Sequence, residues 1–88
     1  MASHASAKKR IRQTLKRTAR NKHVRTTLRT YVKRVRQSIA EGAAPEAQTA
    51  LRAAVSKLHS AASKGVLHRK TASRVVSRLS EQVNRLAA

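Results

Sequence analysis

The feature that most limits how this chain folds is a basic segment, Ser6 to Ile39, that contains no acidic residue, no Gly and no Pro. Thirteen Lys or Arg residues fall between Lys8 and Arg36. Because nothing in the segment breaks a helix, we predict one long helix over about residues 7–41, with Ser6 as its N-cap. So many like charges on one helix repel one another, which indicates a partner of opposite charge.

The apolar residues divide this helix into two halves. In the second half they recur at helical spacing and predict one stripe that faces a core. That stripe consists of Val24, Leu28, Tyr31, Val32, Val35 and Ile39. In the first half only Ile11 and Leu15 are large and apolar, and on a straight helix they lie roughly 100–140° away from Leu28. The first half is therefore expected to project beyond the core.

Two shorter helices are predicted in the rest of the chain. Gly42 and Gly65 suit the left-handed position after a helix, and Pro45 suits a first helical turn, so helices are expected over about residues 45–64 and 68–87. Their apolar faces are Ala47, Ala50, Leu51, Ala54, Leu58 and Ala61, then Ala72, Val75, Val76, Leu79, Val83 and Leu86. We predict an all-α fold, an antiparallel three-helix bundle with an extended, overhanging N-terminal helix, as a single domain over residues 1–88.

The chain offers little that catalysis could use. Glu41 and Glu46 suit helix ends, and Glu81 lies within reach of both Arg78 and Arg85, so no carboxylate has an acid–base partner. The four His residues lack ligand spacing, Cys is absent, and no glycine-rich phosphate loop is present. We therefore expect no enzyme, no catalytic residue, no metal, no cofactor and no small-molecule substrate. No apolar run approaches the roughly 20 residues of a membrane span, and neither a membrane partner nor a homo-oligomer is expected.

The charge balance points to a nucleic acid. The 88 residues include 21 Lys or Arg and 3 acidic residues, for a formal net charge of +18. Most of the basic residues are Arg, whose planar guanidinium suits phosphate. Tyr31 is the only large aromatic residue, and its place in the stripe favours packing over base stacking. We therefore predict binding to folded or double-helical nucleic acid by phosphate neutralisation.

The candidate contacts are basic residues that lie away from the apolar faces. The overhanging half carries them on nearly every side, the second half along one flank of the stripe, and the third helix opposite its apolar face. They are Lys8, Lys9, Arg10, Arg12, Lys16, Arg17, Arg20 and Lys22, then Arg25, Arg29 and Lys33, then Lys70, Arg74 and Arg78.

Three segments resemble the S20 family of bacterial small-subunit ribosomal proteins. They are SAKKR at residues 6–10, RTTLRTYVK at 25–33, and KGVLHRK at 64–70 followed by Ala72, Arg74 and SRL at 77–79. The turn around Gly65 is the most diagnostic of the three. Together they make the resemblance cover nearly the whole chain.

The resemblance implies a three-helix bundle that binds 16S ribosomal RNA directly and bridges the 5′ domain and the long penultimate helix of that RNA. Such a protein helps to assemble and stabilise the small ribosomal subunit in the cytoplasm. It also implies RNA contacts from Lys8, Lys9, Arg10, Lys64, His68, Lys70, Arg74 and Arg78. Val76 stands where relatives commonly carry a basic residue, but it falls at the edge of the apolar face and is not counted as a contact.

Two other classes of protein share this composition. A DNA-compacting, histone-like protein is the main alternative, and the unequal lengths of the helices together with the family-like turn favour RNA over it. A membrane-active cationic helix needs a wide, bulky apolar face. Ile11 and Leu15 alone do not supply one.

Overall fold

The chain forms three α-helices joined by two short turns. The structure, a computed structural model, describes the backbone of residues 2–87 and the side chains of residues 5–87. Helix α1 spans Ala2–Ala40, α2 spans Ala44–Ser63 and α3 spans Arg69–Ala87, with no strand in the described part of the chain. The predicted all-α fold with a long first helix is confirmed.

Helix α1 begins earlier than the sequence-based prediction. It starts at Ala2, so Ser6 lies inside the helix and the prediction that Ser6 is its N-cap is wrong. The residues around Ser6 include several Ala and neither Gly nor Pro, so nothing local ends the helix there. At the other end Glu41 lies in the turn, and His68 precedes α3 instead of opening it.

Both turns are closed by a glycine in the left-handed conformation. Gly42 has φ 70° and Gly65 has φ 76°, as predicted for the position after a helix. The amides of Ala43 and Val66 donate to the carbonyl oxygens of Ser38 and Ala61, each at 3.0 Å, which is the bonding pattern of a Schellman motif. Val66 is 8% exposed, so the apolar side chain that follows Gly65 is buried, as is common after this motif. Pro45 lies in the first turn of α2.

The core consists of two apolar clusters along the bundle. The proximal cluster, at the end of the bundle next to the α2–α3 turn, contains the buried residues Leu28, Leu58, Ala61 and Ala72. The distal cluster, toward the α1–α2 turn, contains the buried residues Val35, Ala47, Ala54, Leu79 and Val83. The remaining stripe residues pack against these clusters, among them Val76 and Tyr31, as predicted. No buried polar or charged side chain is found among the described residues. Ala at many α2 positions lets the helices approach closely.

The first helix reaches far beyond its partners. With 39 residues against 20 in α2, it is about 58 Å long against about 30 Å. The molecule accordingly measures 66 × 21 × 14 Å. Every described side chain from Ala5 to Arg20 is exposed, and we call this segment the overhang. In the described part of the chain no helix is long and apolar enough to cross a membrane.

Candidate nucleic-acid interface

The antiparallel order of the helices separates the bundle into two chemically different ends. The α1–α2 turn and the C-terminal part of α3 form the far end, which holds all three carboxylates, Glu41, Glu46 and Glu81. The α2–α3 turn forms the near end, where the overhang leaves the bundle. From the overhang to the near end the chain is basic and free of acid, so the positive potential is concentrated on that part of the molecule.

All the basic residues predicted as contacts have exposed side chains, and so does His68. Within the described residues the one ion pair joins the exposed pair Arg85 and Glu81, whose Nη2 and Oε1 lie 2.6 Å apart. The predicted contacts therefore have no carboxylate within ion-pair distance. In the overhang, Lys8, Arg12, Lys16 and Arg20 recur at every fourth position, a spacing at which like charges destabilise a helix.

Three of the predicted contacts line a groove between α1 and α3. Arg25, Arg29 and Lys33 form its basic rim, together with Arg36, which the sequence-based site did not include. Its floor is apolar and is lined by Leu28, Val32, Leu58, Leu67 and Val75, around a volume of about 510 Å³. The spacing of residues 25, 29, 33 and 36 would have added Arg36 to the site, because all four lie on one side of a helix.

A smaller notch of about 120 Å³ lies between α1 and α2 at the near end. It is lined by Lys64 from the predicted site and by His23 and Lys57, which were not predicted. Lys57 also places its Nζ 5.5 Å from the ring centroid of Tyr31, and the guanidinium carbon of Arg34 lies 5.2 Å from the same ring. Both are cation–π distances. The neighbourhood of Lys57 depends on the packing of α2 against α1, and no local sequence signal shows it.

His68 is the N-cap of α3. Its Nδ1 accepts a hydrogen bond from the backbone N–H of Lys70 at 3.1 Å. An accepting Nδ1 carries no hydrogen, so in the neutral ring the proton is on Nε2. The exposed ring therefore offers an N–H donor next to Arg69 and Lys70. The resemblance implied that His68 contacts RNA, and the structure adds a second role, because the same ring starts the helix.

The predicted contacts on α3 form a separate surface. Arg74 and Arg78 are exposed and lie opposite the buried residues Ala72, Leu79 and Val83. Neither of them lines the groove or the notch. The basic surface is thus divided into the overhang with the adjoining Lys22, the groove rim, the near-end turn and the outer face of α3.

In the described part of the chain this architecture is that of a small helical bundle with a long, exposed, strongly basic first helix. The described residues contain no group of three or more His, Cys, Asp or Glu side chains that could hold a metal ion. What the surface offers is exposed positive charge from the overhang to the near end and on the outer face of α3.

Comparison with known proteins specifies the class. The sequence profile of the family described as Ribosomal protein S20 matches residues 2–84, and the chain belongs to that family. The small ribosomal subunit protein bS20 of Geotalea daltonii is 58% identical over 87 residues, covering 99% of this chain and 100% of the relative. The proteins of the same name from Geotalea uraniireducens and Geobacter sulfurreducens are 57% and 54% identical over 86 residues, covering 98% of this chain and 99% of each relative.

Family membership confirms several predictions made from the sequence. The resemblance to this family was correct, and the relatives match along the whole chain. Because its members are structural ribosomal proteins, the prediction of a non-enzymatic protein is also confirmed. A protein of the bacterial small ribosomal subunit acts in the cytoplasm, as expected.

Proposed function

We propose that this protein is a structural component of the small ribosomal subunit that binds 16S ribosomal RNA directly and helps to assemble and stabilise the particle. Its 88 residues act as one RNA-binding domain. The contacts are the four basic surfaces described above, and the far end, with its carboxylates, points away from the RNA.

The observation that carries this proposal is the acid-free, fully exposed overhang. A helix with cations at every fourth position, no carboxylate and no packing partner is destabilised by its own charge. Phosphate groups remove this repulsion, and the cations of the overhang release counterions that are condensed on the RNA, so binding to RNA orders the segment and adds affinity at the same time. A protein that functioned alone would gain nothing from such a helix.

The alternative of a DNA-compacting protein is not favoured. The chain matches the ribosomal protein S20 family over residues 2–84, and its relatives carry the name of a small-subunit protein. The absence of large aromatic side chains other than Tyr31 further favours recognition of a folded RNA through its backbone.

The proposal is tested by measuring binding of the purified protein to 16S ribosomal RNA across a range of salt concentrations. If about eight phosphates are contacted at about 0.7 per contact, the logarithm of the binding constant falls with the logarithm of the salt concentration with a slope of about −5.6. Hydroxyl-radical footprinting of the same complex identifies the protected nucleotides.

The matched competitor is a DNA duplex with as many phosphates as the RNA site. Equal affinity for the DNA, or recovery of the protein from cells with chromosomal DNA and not with small ribosomal subunits, would refute direct and specific binding to ribosomal RNA.

A further inference from the structure

Two large apolar side chains are exposed in the middle of the basic overhang. Ile11 is 60% exposed and Leu15 is 64% exposed, and no other large apolar side chain in the described part of the chain is exposed to this degree. They lie one helical turn apart, at positions i and i+4, so their side chains are neighbours on the same face. Phosphate neutralisation does not explain this pair, because neither side chain can contact a phosphate favourably.

The pair belongs to a face that continues along α1 into the bundle. From Ile11 and Leu15 the same face passes through positions 18, 22, 25, 29, 33 and 36, at successive spacings of three or four residues. Arg25, Arg29 and Lys33 on this line are the basic rim of the α1–α3 groove. The apolar pair therefore lies in line with the predicted phosphate contacts, and one ligand along α1 meets both.

The charges around the pair define the class of that ligand. Lys8, Arg12 and Lys16 lie along one flank of Ile11 and Leu15 on the helix surface, and Arg10 and Arg17 lie along the other. No acidic residue occurs anywhere in α1. A lipid surface would require a wide, bulky apolar face, and this one consists of two side chains. A narrow apolar strip between cations is complementary to a polyanion that has a less polar floor between two rows of phosphate.

The shallow groove of an RNA duplex has this form. The major groove of A-form RNA is deep and too narrow for side chains to read, whereas its minor groove is wide and shallow and displays sugars and base edges. A helix is about 10–12 Å across with its side chains, so it lies over this groove without entering it. Two aliphatic side chains then reach the sugar and base edges while flanking cations reach the phosphates on both sides.

We propose that Ile11 and Leu15 pack into the minor groove of a base-paired segment of ribosomal RNA, with Lys8, Arg12 and Lys16 on the phosphates along one border and Arg10 and Arg17 on those along the other. This proposal rests on the RNA-binding function proposed above and specifies how the overhang is positioned. The cations supply affinity that depends on salt, and the apolar pair supplies affinity that does not, because its removal from water releases no counterion.

The test compares the full-length protein with the double variant Ile11→Ala, Leu15→Ala in binding to 16S ribosomal RNA at several salt concentrations. Alanine is a better helix former than either residue, so a weaker affinity cannot be attributed to loss of the helix. The expected result is an affinity lower by about tenfold with an unchanged salt slope. Arg12→Gln, Lys16→Gln is the charge control, and it should decrease the slope by about 1.4.

Gln13→Ala is the matched neutral control, since Gln13 is exposed and lies on another side of the overhang. It should bind as the unchanged protein does. An affinity of the Ile11/Leu15 variant within about twofold of the unchanged protein would overturn the proposal, and so would a decrease of its salt slope by one or more. Failure of the unchanged protein to bind would instead refute the proposed function itself.

A second measurement locates the pair directly. Leu15 is replaced by the photoreactive p-benzoylphenylalanine, and the full-length protein is incorporated into reconstituted small subunits and irradiated. Cross-links to nucleotides of a base-paired segment support the proposal. Cross-links to unpaired nucleotides, to another ribosomal protein or to a second copy of this chain overturn it.

Discussion

The two halves of α1 are both free of Gly and Pro but have different surroundings. From Val24 onward, stripe residues pack into the proximal and distal clusters, and Val35 is fully buried. From Ala5 to Arg20 every side chain is exposed. The difference shows that helix formation and helix stabilisation are separate matters here. Both halves can be helical, but only the second is stabilised by burial within the protein, and short helices without such packing are marginal in water.

The same comparison applies to charge. In the bundle, carboxylates at the far end offset part of the positive charge, and Glu81 pairs with Arg85. The overhang has no carboxylate at all. In the proposed complex the RNA would therefore supply the overhang with both packing surface and charge balance, whereas it would supply the bundle with charge balance alone.

The largest expected contrast between the two regions is in backbone amide exchange. In the free protein, amides of residues 5–20 should exchange nearly as fast as in an unfolded chain, while those near Val35 and Leu79 should be protected. Saturating 16S RNA at about 1,000 times the dissociation constant should increase protection of the overhang by up to about 1,000-fold. Exchange measured by NMR or mass spectrometry checks this, and strong protection of the overhang without RNA would break the comparison.

Truncation of a core residue should affect only the bundle. Leu79 is 2% exposed in the distal cluster, so Leu79→Ala should lower the free energy of unfolding by about 2–5 kcal/mol. Leu15→Ala removes as many carbon atoms from an exposed site and should change the free energy of unfolding by less than about 0.5 kcal/mol. Urea unfolding followed by circular dichroism measures both. If Leu79→Ala fails to fold, Val83→Ala replaces it, and equal effects at the buried and exposed sites would contradict the prediction.

Neutralising cations of the overhang should weaken RNA binding and leave the stability of the bundle unchanged, the reverse of truncating a core residue. The variant Arg12→Gln, Lys16→Gln, Arg20→Gln should decrease the salt slope of RNA binding by about 2, since each lost contact removes about 0.7. The bundle should remain as stable as before, or become slightly more stable as repulsion decreases. Salt titration and urea unfolding of the same preparation test this. The prediction is wrong if the slope stays constant while stability falls.

Removing the outer basic face of α3 should give a smaller change. Arg74→Ala, Arg78→Ala removes two exposed cations and should decrease the slope by about 1.4, with little effect on folding. The matched control is Arg52→Ala, which removes an exposed cation of α2 outside the predicted site. An unchanged slope in the double variant would show that these two residues are only solvated.

The smallest expected effect separates the two roles of His68. His68→Ala should destabilise the bundle by about 1 kcal/mol because α3 loses its cap, whereas His68→Ser keeps a capping oxygen and should stay near the original stability. Both variants lack the Nε2–H donor, so both should bind RNA equally less well when measured under conditions where each is folded. Full binding by His68→Ser would restrict His68 to its structural role.

Most of the fold could be predicted because its signals are local. The periodicity of the apolar residues indicates which faces are buried, and Gly42 and Gly65 mark where the left-handed conformation ends a helix. The start of α1 was missed because Ser6 resembles a cap in sequence, although nothing before it breaks a helix. A capping residue permits a helix to begin but does not require it to begin there.

The candidate site was predictable in its members but not in its arrangement. Exposure of Arg74 follows from the apolar pattern, because a cation opposite a buried face lies in solvent. Exposure of Lys8 and Arg12 follows because their half of α1 carries no apolar stripe. The pairing of Glu81 could not be predicted, since Arg78 and Arg85 both lie within reach, and the structure selects Arg85. The approach of Lys57 to Tyr31 likewise depends on how two helices pack.

The long acid-free helix, its two halves and the need for a polyanion can all be read from the amino-acid order, because charge and helical period are properties of neighbouring residues. Three features exist only after the bundle has formed. The groove places an apolar floor beside Arg25, Arg29, Lys33 and Arg36, and the notch brings Lys64 close to Lys57 and His23. The third feature is the far end, which collects all three carboxylates. Side-chain volumes at the helix contacts set those distances, and residues far apart in the chain contribute to each of them.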